Sequence, residues 1–301
     1  MSVYKVCVLI LNYQSWNDTV CYIENLKQQK GLQLSILVVD NCSPNGSFEN
    51  LALFYEEDVS VTVIKSELNG GYAYGNNYGL RYLANHDVDF IVISNNDIVL
   101  ENRWLLNKLV DQYHQCDNVA FVSPVQYING KESRNYAAWK IPSYMDDLRA
   151  SLKCLSYFKR SGRYRFEVGD FSNHSVECLP GSFFLGRKET FFEIGLFDEA
   201  TFLFCEEIIL GYKVKQIGLQ NFLIRSLSFN HKATHTIGAI FGSSRIQKLW
   251  LDSTCYFQRT YNHKNSIAIF VLRCLFPIWV VENKIYKTSL KGIKWIQNMF
   301  S

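Results

Sequence analysis

The sequence lacks the features of extracellular, fibrous and disordered proteins. Its nine cysteines include no C-x-x-C pair. They predict neither a disulfide framework nor a zinc site, and we interpret them as reduced, mostly buried residues of a cytosolic protein. The 17 glycines follow no period, and the chain has no heptads or internal repeats. Collagen and coiled coil are thereby excluded, and an aromatic content of 15% excludes disorder.

Long apolar runs and a strong net charge are also missing. The apolar segment 267–281 has only 15 residues and contains Arg273 and Pro277, whereas a membrane-spanning helix needs about 20 apolar residues. Residues 6–11 are apolar, but they run directly into polar residues, which favours a buried strand over a signal peptide. The net charge of +3 by itself gives no indication of nucleic-acid binding, and no such partner is expected.

The chain has ample apolar material for a globular fold. Of its 301 residues, 48% are apolar and 20% charged, which predicts one large domain with a small appendage. In the first 125 residues, β-rich runs alternate with helical patterns. Strands are predicted at 3–11, 34–39, 61–64, 90–93 and 119–122, and helices at 17–30, 47–56, 76–85 and 102–114. This alternation predicts an α/β fold, with a mostly parallel twisted sheet, helices on both faces, and ligands beyond the carboxyl ends of the strands.

The remaining sequence is less regular. Residues 130–170 show no clear period and are predicted to be an insertion or long loop. Ordered structure returns at 176–187, a helix is predicted at 206–217, and the chain after His231 is predicted to be helical to its end. We therefore divide the chain into a large α/β domain at 1–240, which contains the sheet edge where a ligand is expected, and a helical, basic, amphipathic region at 241–301.

The C-terminal region carries most of the positive charge. Residues 262–301 contain one acid, Glu282, against six basic residues: Lys264, Arg273, Lys284, Lys287, Lys291 and Lys294. Apolar residues are interleaved with the lysines. This pattern is typical either of an element lying on a membrane surface or of a packed helix with a solvated basic face, and the sequence leaves both interpretations open.

Polar residues follow the predicted strands at the edge where ligands are expected. Asp40 ends the second strand, where a carboxylate can bind a base or ribose or can cap the next helix. Asp97 follows the fourth strand, where it can ligate a divalent cation or belong to a turn. The glycine-rich segment 69–77 opens a helix whose N–H groups can bind a diphosphate, although it matches neither a P-loop nor a dinucleotide fingerprint.

Two further features contain candidate catalytic groups. Glu206 and Glu207 begin a helix after an apolar run. They either favour the helix dipole, or at least one lies in a pocket where its pKa suits proton abstraction. His231 and His235 have a spacing that occurs in zinc sites, but the sequence offers no third ligand, so zinc is not expected.

Taken together and in this order, the motifs resemble those of the family 2 glycosyltransferases of GT-A fold. The resemblance is strongest to the bacterial rhamnosyltransferase-like branch, which builds O-antigen, capsule and other surface polysaccharides. Six motifs stand in register over residues 3–235, which makes the resemblance highly specific. They lie at residues 11–13, 38–47, 69–79, 95–97, 195–199 and 206–207.

The resemblance implies an inverting transfer of rhamnose or a hexose from a dTDP- or UDP-sugar to a hydroxyl of a polyprenyl-diphosphate-linked glycan. It implies that Asp97 binds Mg²⁺ or Mn²⁺, that His231 completes the metal site, and that Glu207, or else Glu206, is the base. The protein is then expected in the cytoplasm, peripheral on the inner face of the plasma membrane. The implied donor-binding residues are Asn12, Tyr13, Asp40, Asn41, Asn69, Gly70, Gly71, Asn76, Asn95 and Asn96. The implied acceptor-side residues are Gly181, Ser182, Phe197, Asp198 and Glu199.

Two departures from the family pattern keep other functions open. Asn95 stands where the family has the first acid of a DxD-like element, and Ile209 stands where many relatives have another acid. A non-catalytic subunit of a polysaccharide assembly complex is therefore an alternative. A sugar nucleotidyltransferase is another, although it would not need the segment 195–207.

Overall fold

A computed structural model describes residues 3–128, 130–133, 137–151, 162–167, 169–232, 236–278 and 280–281. Ten strands are described: β1 (Lys5–Asn12), β2 (Gln33–Asp40), β3 (Val61–Lys65), β4 (Phe90–Ser94), β5 (Ile98–Val99), β6 (Val119–Ile128), β7 (Lys131–Glu132), β8 (Asn173–Val176), β9 (Phe183–Arg187) and β10 (Gln220–His231). The helices are α1 (Trp16–Leu26), α2 (Ser47–Phe54), α3 (Gly71–Leu83), α4 (Leu105–His114), α5 (Tyr144–Ala150), α6 (Lys188–Glu193), α7 (Glu206–Gln216) and α8 (Thr236–Thr260). Residues 266–278 are also helical.

All ten strands belong to one sheet, ordered β3-β2-β1-β4-β9-β6-β10-β5, with β7 paired to β6 and β8 to β10. β1, β2, β3, β4, β6 and β10 point one way, and the other four point the opposite way. The α/β fold with a mostly parallel sheet is thereby confirmed. The parallel half has the continuous apolar strands expected when both faces of a sheet are covered.

The sheet has a hydrophobic core on each face. Successive side chains of a strand point to opposite faces. In β1, Val6, Val8 and Ile10 accordingly pack in one cluster and Cys7 and Leu9 in another. Both clusters are buried, so β1 lies at the centre of the molecule and its carboxyl end is fixed from both sides.

β9 is the antiparallel strand that shapes the functional edge of the sheet. It lies between β4 and β6 and is antiparallel to both. The chain therefore enters β9 at the edge where the parallel strands end. This brings Ser182 beside the polar loop that follows β4, where the Asn95 N–H donates to its carbonyl.

Several boundaries differ from those predicted. α3 begins at Gly71 and not at residue 76, because contacts with a distant loop allow the glycine-rich segment to become helical. β6 continues to Ile128, six residues beyond the predicted end, since residues 125–127 pair with β10. The stretch 130–170 includes β7 and α5, and so is not simply a long loop.

The C-terminal region is joined to the rest by polar contacts. Ser253 of α8 donates to the Leu203 carbonyl at 2.7 Å, and Gln258 donates to buried Asp147 at 2.6 Å. α8 ends at Thr260 and a non-helical stretch separates it from the helix at 266–278, so the chain after His231 is not one uninterrupted helix. α8 also runs through residue 240 without a break, and the proposed domain division stays a prediction. His235 and residues 282–301 lie outside the described residues.

None of the helices in the described ranges combines the length and apolarity needed to cross a membrane.

Candidate active site

Asp40 is held in a buried hydrogen-bond network at the end of β2. Its carboxylate accepts hydrogen bonds from Asn12 Nδ2 at 2.7 Å and from the Ser43 backbone N–H at 2.8 Å, and its side chain is fully buried. Thr19 in turn donates to Asn12 Oδ1 at 2.9 Å. These bonds compensate the buried charge and fix the loops after β1 and β2 against each other.

The loop after β4 joins the same network. Asn96 Nδ2 donates to Ser15 Oγ at 2.7 Å and to Thr19 Oγ1 at 2.8 Å. Asn12, Asp40 and Asn96 are therefore brought together, and half-buried Tyr13 stands beside them. Their position fits the predicted nucleotide site. Because they are hydrogen-bonded to one another's loops, they also fix the conformation of that site.

The glycine-rich segment is bound to two other loops. Asn41 Nδ2 donates to Asn69 Oδ1 at 3.0 Å and to the Gly71 carbonyl at 3.1 Å. Gly71 has φ +90°, and a Cβ there would lie 1.9 Å from the Phe202 carbonyl oxygen. Only glycine satisfies both requirements, and it allows α3 to approach the loop that leads to α7.

The start of α3 has little free hydrogen-bonding capacity. The Gly71 N–H donates to Asn69 Oδ1 at 3.2 Å, and the Tyr72 N–H donates to the Phe202 carbonyl at 3.1 Å. Gly70 precedes the helix, and Asn76 is fully buried within it. Two of the N–H groups expected to face a diphosphate are thus occupied, and the donor-binding role of this segment stays a prediction.

Asp97 and His231 form a close pair at the edge of the sheet. Asp97 Oδ1 lies 2.9 Å from His231 Nε2. β5 causes this proximity, because Ile98 pairs with His231 and the Lys232 N–H donates to the Asp97 carbonyl. The two predicted metal ligands are therefore neighbours, although 134 positions separate them in the sequence.

Residues before β9 connect this pair to the rest of the edge. Gln126 Nε2 lies 3.4 Å from His231 Nδ1, and Ser182 Oγ donates to Gln126 Oε1 at 3.0 Å. The Ser182 carbonyl accepts a hydrogen bond from the Asn95 N–H at 2.9 Å. Gln126 thus orients the imidazole and holds it against the loop before β9.

The same loop reaches the acidic pair. The Gly181 N–H donates to Glu207 Oε1 at 3.3 Å, and the Tyr72 hydroxyl donates to the Gly181 carbonyl at 2.6 Å. Burial, followed by the charges of Glu207 and Glu206, keeps the pKa of Tyr72 well above its usual value, so this hydroxyl stays a donor. A continuous series of contacts therefore joins Glu207 to Asp97.

The two glutamates have different surroundings. Glu206 is 6% exposed, and its Oε1 has no hydrogen-bond partner within the described ranges. Burial and the charge of Glu207 raise the pKa of Glu206 to about 8. Glu207 is partly exposed, and burial raises its pKa as well. Glu207 is thus the acid of the pair that solvent can reach, and the upward direction of its pKa shift is the one that favours a general base.

The predicted acceptor-side residues 197–199 make structural contacts. Phe197 is buried in the core, and its N–H donates to Asn77 Oδ1 at 3.0 Å. Glu199 forms an ion pair with Arg81. Asp198 accepts hydrogen bonds from two tyrosines of the C-terminal region. These three residues join the loop before α7 to α3 and to α8. Their acceptor role stays a prediction.

Sequence reasoning missed Gln126 and Tyr72. Gln126 lies beyond the predicted end of β6, in a stretch whose strand character depends on its pairing with β10. Tyr72 stands in the glycine-rich motif, but only the arrival of Gly181 from a distant part of the chain gives its hydroxyl a partner. No local signal marks either residue.

Comparison with known proteins identifies the class of this chain. The model of the family described as Glycosyl transferase family 2 matches residues 7–195, more than half of the chain. The protein therefore belongs to the family 2 glycosyltransferases. It is similar to the rhamnosyltransferase WbbL of Escherichia coli (strain K12), with 23% identity over 179 residues, which cover 58% of this chain and 65% of that protein. The match thus spans slightly less than two thirds of that relative.

Solved structures of glycosyltransferases share the fold. The mannosyltransferase PcManGT from Pyrobaculum calidifontis, in complex with GDP-Man and Mn²⁺, aligns over 93% of this chain and 74% of its own, with a TM-score of 0.57 and 13% identity. GalNAc-T7, with UDP, GalNAc and Mn²⁺, aligns over 96% and 58%, with a TM-score of 0.61 and 14% identity. The GT-A fold is thereby confirmed.

The pair of Asp97 and His231 fits a divalent cation that is shared with a phosphate ligand. In the described ranges, no group of three or more His, Cys, Asp and Glu side chains could hold a metal ion. One carboxylate and one imidazole leave most coordination positions to other oxygen atoms. Mg²⁺ and Mn²⁺ accept such sites, where water and substrate phosphates supply the remaining ligands.

The raised pKa of Glu206 predicts a pH-dependent stability. A carboxyl group with a higher pKa in the folded state favours folding below its unfolded pKa, and this stabilisation is lost as the pH rises toward about 8. Glu206→Gln should therefore be more stable than the wild type at pH 9, by about 1 kcal/mol or more, and nearly equal to it at pH 5. Thermal unfolding across this pH range tests the prediction. Exposed Glu193→Gln is the control, and a constant gap between Glu206→Gln and the wild type would contradict it.

Proposed function

We propose that the protein is an inverting glycosyltransferase that transfers a sugar from a nucleotide-diphospho-sugar to a hydroxyl group of a growing glycan. The observation that carries the proposal is the series of contacts from Glu207, through Gly181, Ser182 and Gln126, to the pair of His231 and Asp97. These contacts support a shared site for the candidate base and the candidate metal pair, beyond the strand ends where ligands of such sheets bind.

In the proposed reaction, the Glu207 carboxylate takes the proton of the acceptor hydroxyl. The acceptor oxygen forms a bond to the anomeric carbon, while the bond from that carbon to the diphosphate oxygen breaks on the opposite side. The nucleoside diphosphate leaves with the bonding electron pair. Asp97 and His231 would hold a Mg²⁺ or Mn²⁺ ion, which when bound neutralises charge on the diphosphate.

We propose a dTDP- or UDP-linked rhamnose or hexose as donor and a polyprenyl-diphosphate-linked glycan as acceptor. The motif resemblance and the similarity to a rhamnosyltransferase support this choice. The names of the two structural neighbours include nucleotides, sugars and Mn²⁺, which supports a nucleotide-sugar donor and a divalent metal. Synthesis of O-antigen or capsule is the proposed setting.

Donor hydrolysis tests the activity without a known acceptor. Purified protein with Mn²⁺ should slowly release nucleoside diphosphate from one of the dTDP-, UDP- or GDP-sugars. Glu207→Gln should reduce this release about 100-fold, because general-base catalysis contributes on the order of 10²–10⁴. Glu193→Gln, an exposed substitution of the same kind, should keep the wild-type rate.

The alternatives give different results in the same assay. Formation of a nucleotide sugar from a sugar phosphate and a nucleoside triphosphate would identify a nucleotidyltransferase. Binding without turnover for every donor would indicate a non-catalytic subunit. Full activity of Glu207→Gln would show that this residue is not the base.

The metal assignment has its own test. Asp97→Asn and His231→Gln should each weaken Mn²⁺ binding in the presence of nucleoside diphosphate by at least about tenfold, because each removes a ligand or its charge. Isothermal titration of Mn²⁺ measures the effect. His86→Gln, at an exposed histidine, is the control, and wild-type affinity in both variants would refute the assignment.

We also propose that the protein works in the cytoplasm, bound peripherally to the inner face of the plasma membrane. In the helix at 266–278 and just beyond it, Ile269 and Leu272 pack against α8, while Ile267, Phe270, Ile278 and Val281 are 74%, 67%, 49% and 54% exposed. At 3.6 residues per turn, Ile267, Phe270 and Ile278 fall within about 80° of one another around the helix axis, and so form one apolar stripe. The excess of lysine in residues 262–301 complements anionic lipid.

Vesicle binding tests the stripe. The double variant Ile267→Ser with Phe270→Ser should bind vesicles of phosphatidylglycerol and phosphatidylcholine at least about tenfold more weakly, since each apolar side chain contributes about 1.5–3 kcal/mol when buried. Leu53→Ser with Phe54→Ser removes a similarly exposed pair from α2 and serves as the control. Equal binding of both variants in a sedimentation assay would exclude the stripe as the contact.

A further inference from the structure

The C-terminal part of α8, together with Tyr261 just beyond it, is hydrogen-bonded to the segment that leads to the candidate base. We call this set of contacts the grip. We define residues 198–205 as the base loop, because Glu206 and Glu207 follow it directly. The hydroxyl groups of Tyr256 and Tyr261 donate to the same atom, Asp198 Oδ2, at 2.7 and 2.5 Å. Ser253 reaches the other end of the base loop and donates to the Leu203 carbonyl at 2.7 Å.

Apolar packing reinforces these bonds. Phe257, which is fully buried, forms a cluster with Cys205 and Ile209. The ring of Tyr261 also contacts that of Tyr212 on α7, with centroids 5.2 Å apart. One face of α8 therefore contacts the base loop at both ends and the helix that carries the base.

The backbone of the base loop needs such external support. Phe204 has φ +74° and Cys205 has φ +68°, which are left-handed conformations that disfavour residues with a side chain. Two consecutive residues of this kind persist when surrounding contacts hold them in place. Because they directly precede Glu206, their conformation sets the direction in which α7 and Glu207 leave the loop.

We propose that Tyr256 and Tyr261 are positioning residues, which hold the base loop through Asp198 and thereby fix the carboxylate of Glu207 at the active site. α8 then contributes to catalysis by keeping the base in position. The role of Glu207 in this inference rests on the proposed function. The contacts of Tyr256 and Tyr261 with the base loop do not depend on that function and can be measured separately.

Cysteine labelling measures the grip directly. Cys205 is 7% exposed in the base loop, and Cys7 is 2% exposed in β1 at the centre of the sheet. Labelling by iodoacetamide, read for each cysteine by peptide mass spectrometry, therefore separates opening of the base loop from global unfolding. In Tyr256→Phe with Tyr261→Phe, Cys205 should react at least about tenfold faster than in the wild type, and it should remain far more reactive than Cys7.

Tyr55→Phe is the matched control, because the Tyr55 hydroxyl also donates to a carboxylate, Glu24, at 3.2 Å, but on α1. It should leave the Cys205 rate unchanged. Wild-type labelling of Cys205 in the double variant would overturn the inference. Equal labelling rates at Cys205 and Cys7 in both the wild type and the double variant would also overturn it, because Cys205 would then be exposed only by global unfolding.

Turnover distinguishes a positioning role from a structural one. In the double variant, kcat for donor hydrolysis should fall about tenfold while KM for the donor stays within twofold, since the predicted nucleotide-binding residues Asn12, Asp40 and Asn96 lie on other loops. The acidic limb of the pH–rate profile should move to lower pH, because water reaching Glu207 favours its charged form. Unchanged kcat and pH profile would refute the positioning role. If the wild type hydrolyses no donor, the proposed function fails, and the labelling result alone decides whether the grip exists.

Discussion

The antiparallel insertion of β9 is the constraint on which the active-site edge depends. An antiparallel strand starts where its parallel neighbours end, so Gly181 and Ser182 arrive at the carboxyl edge of the sheet. Their groups bond to four different parts of the chain: the Asn95 N–H, Gln126 Oε1, Glu207 Oε1 and the Tyr72 hydroxyl. Without this insertion, the candidate base and the candidate metal pair would lack their connection.

The sequence predicts best what local pattern decides. The alternating strands and helices of the first 125 residues are periodic, and their existence and order agree with the structure. The errors arise where distant contacts override local preference. α3 begins at Gly71 because the Phe202 carbonyl packs against a residue without a side chain. β6 extends past Pro124 because β10 pairs with it across a register shift between Ile224 and Ser228.

The candidate site shows the same division. The motif order indicates Asp40, Asp97 and the acidic pair as functional residues, since each follows or begins a recognisable element. The contacts of these residues with distant parts of the chain depend on pairings that no local pattern encodes. Asp97 meets His231 because β5, only two residues long, pairs with the end of β10. The contribution of Gln126 follows from a second pairing, that of β6 with β10, which explains why sequence reasoning missed it.

The C-terminal region is proposed both to hold the base loop and to bind a membrane surface, and the two roles are close together in the chain. One face of α8 holds the base loop, and the apolar stripe begins at Ile267, six positions after Tyr261. Six residues span at most about 20 Å even when fully extended. A membrane surface bound by the stripe would therefore lie within a short distance of the tyrosines that bind Asp198. The proposed acceptor, a glycan carried on a membrane lipid, would be presented close to that surface, and a base positioned from the proposed membrane-binding side would meet this requirement.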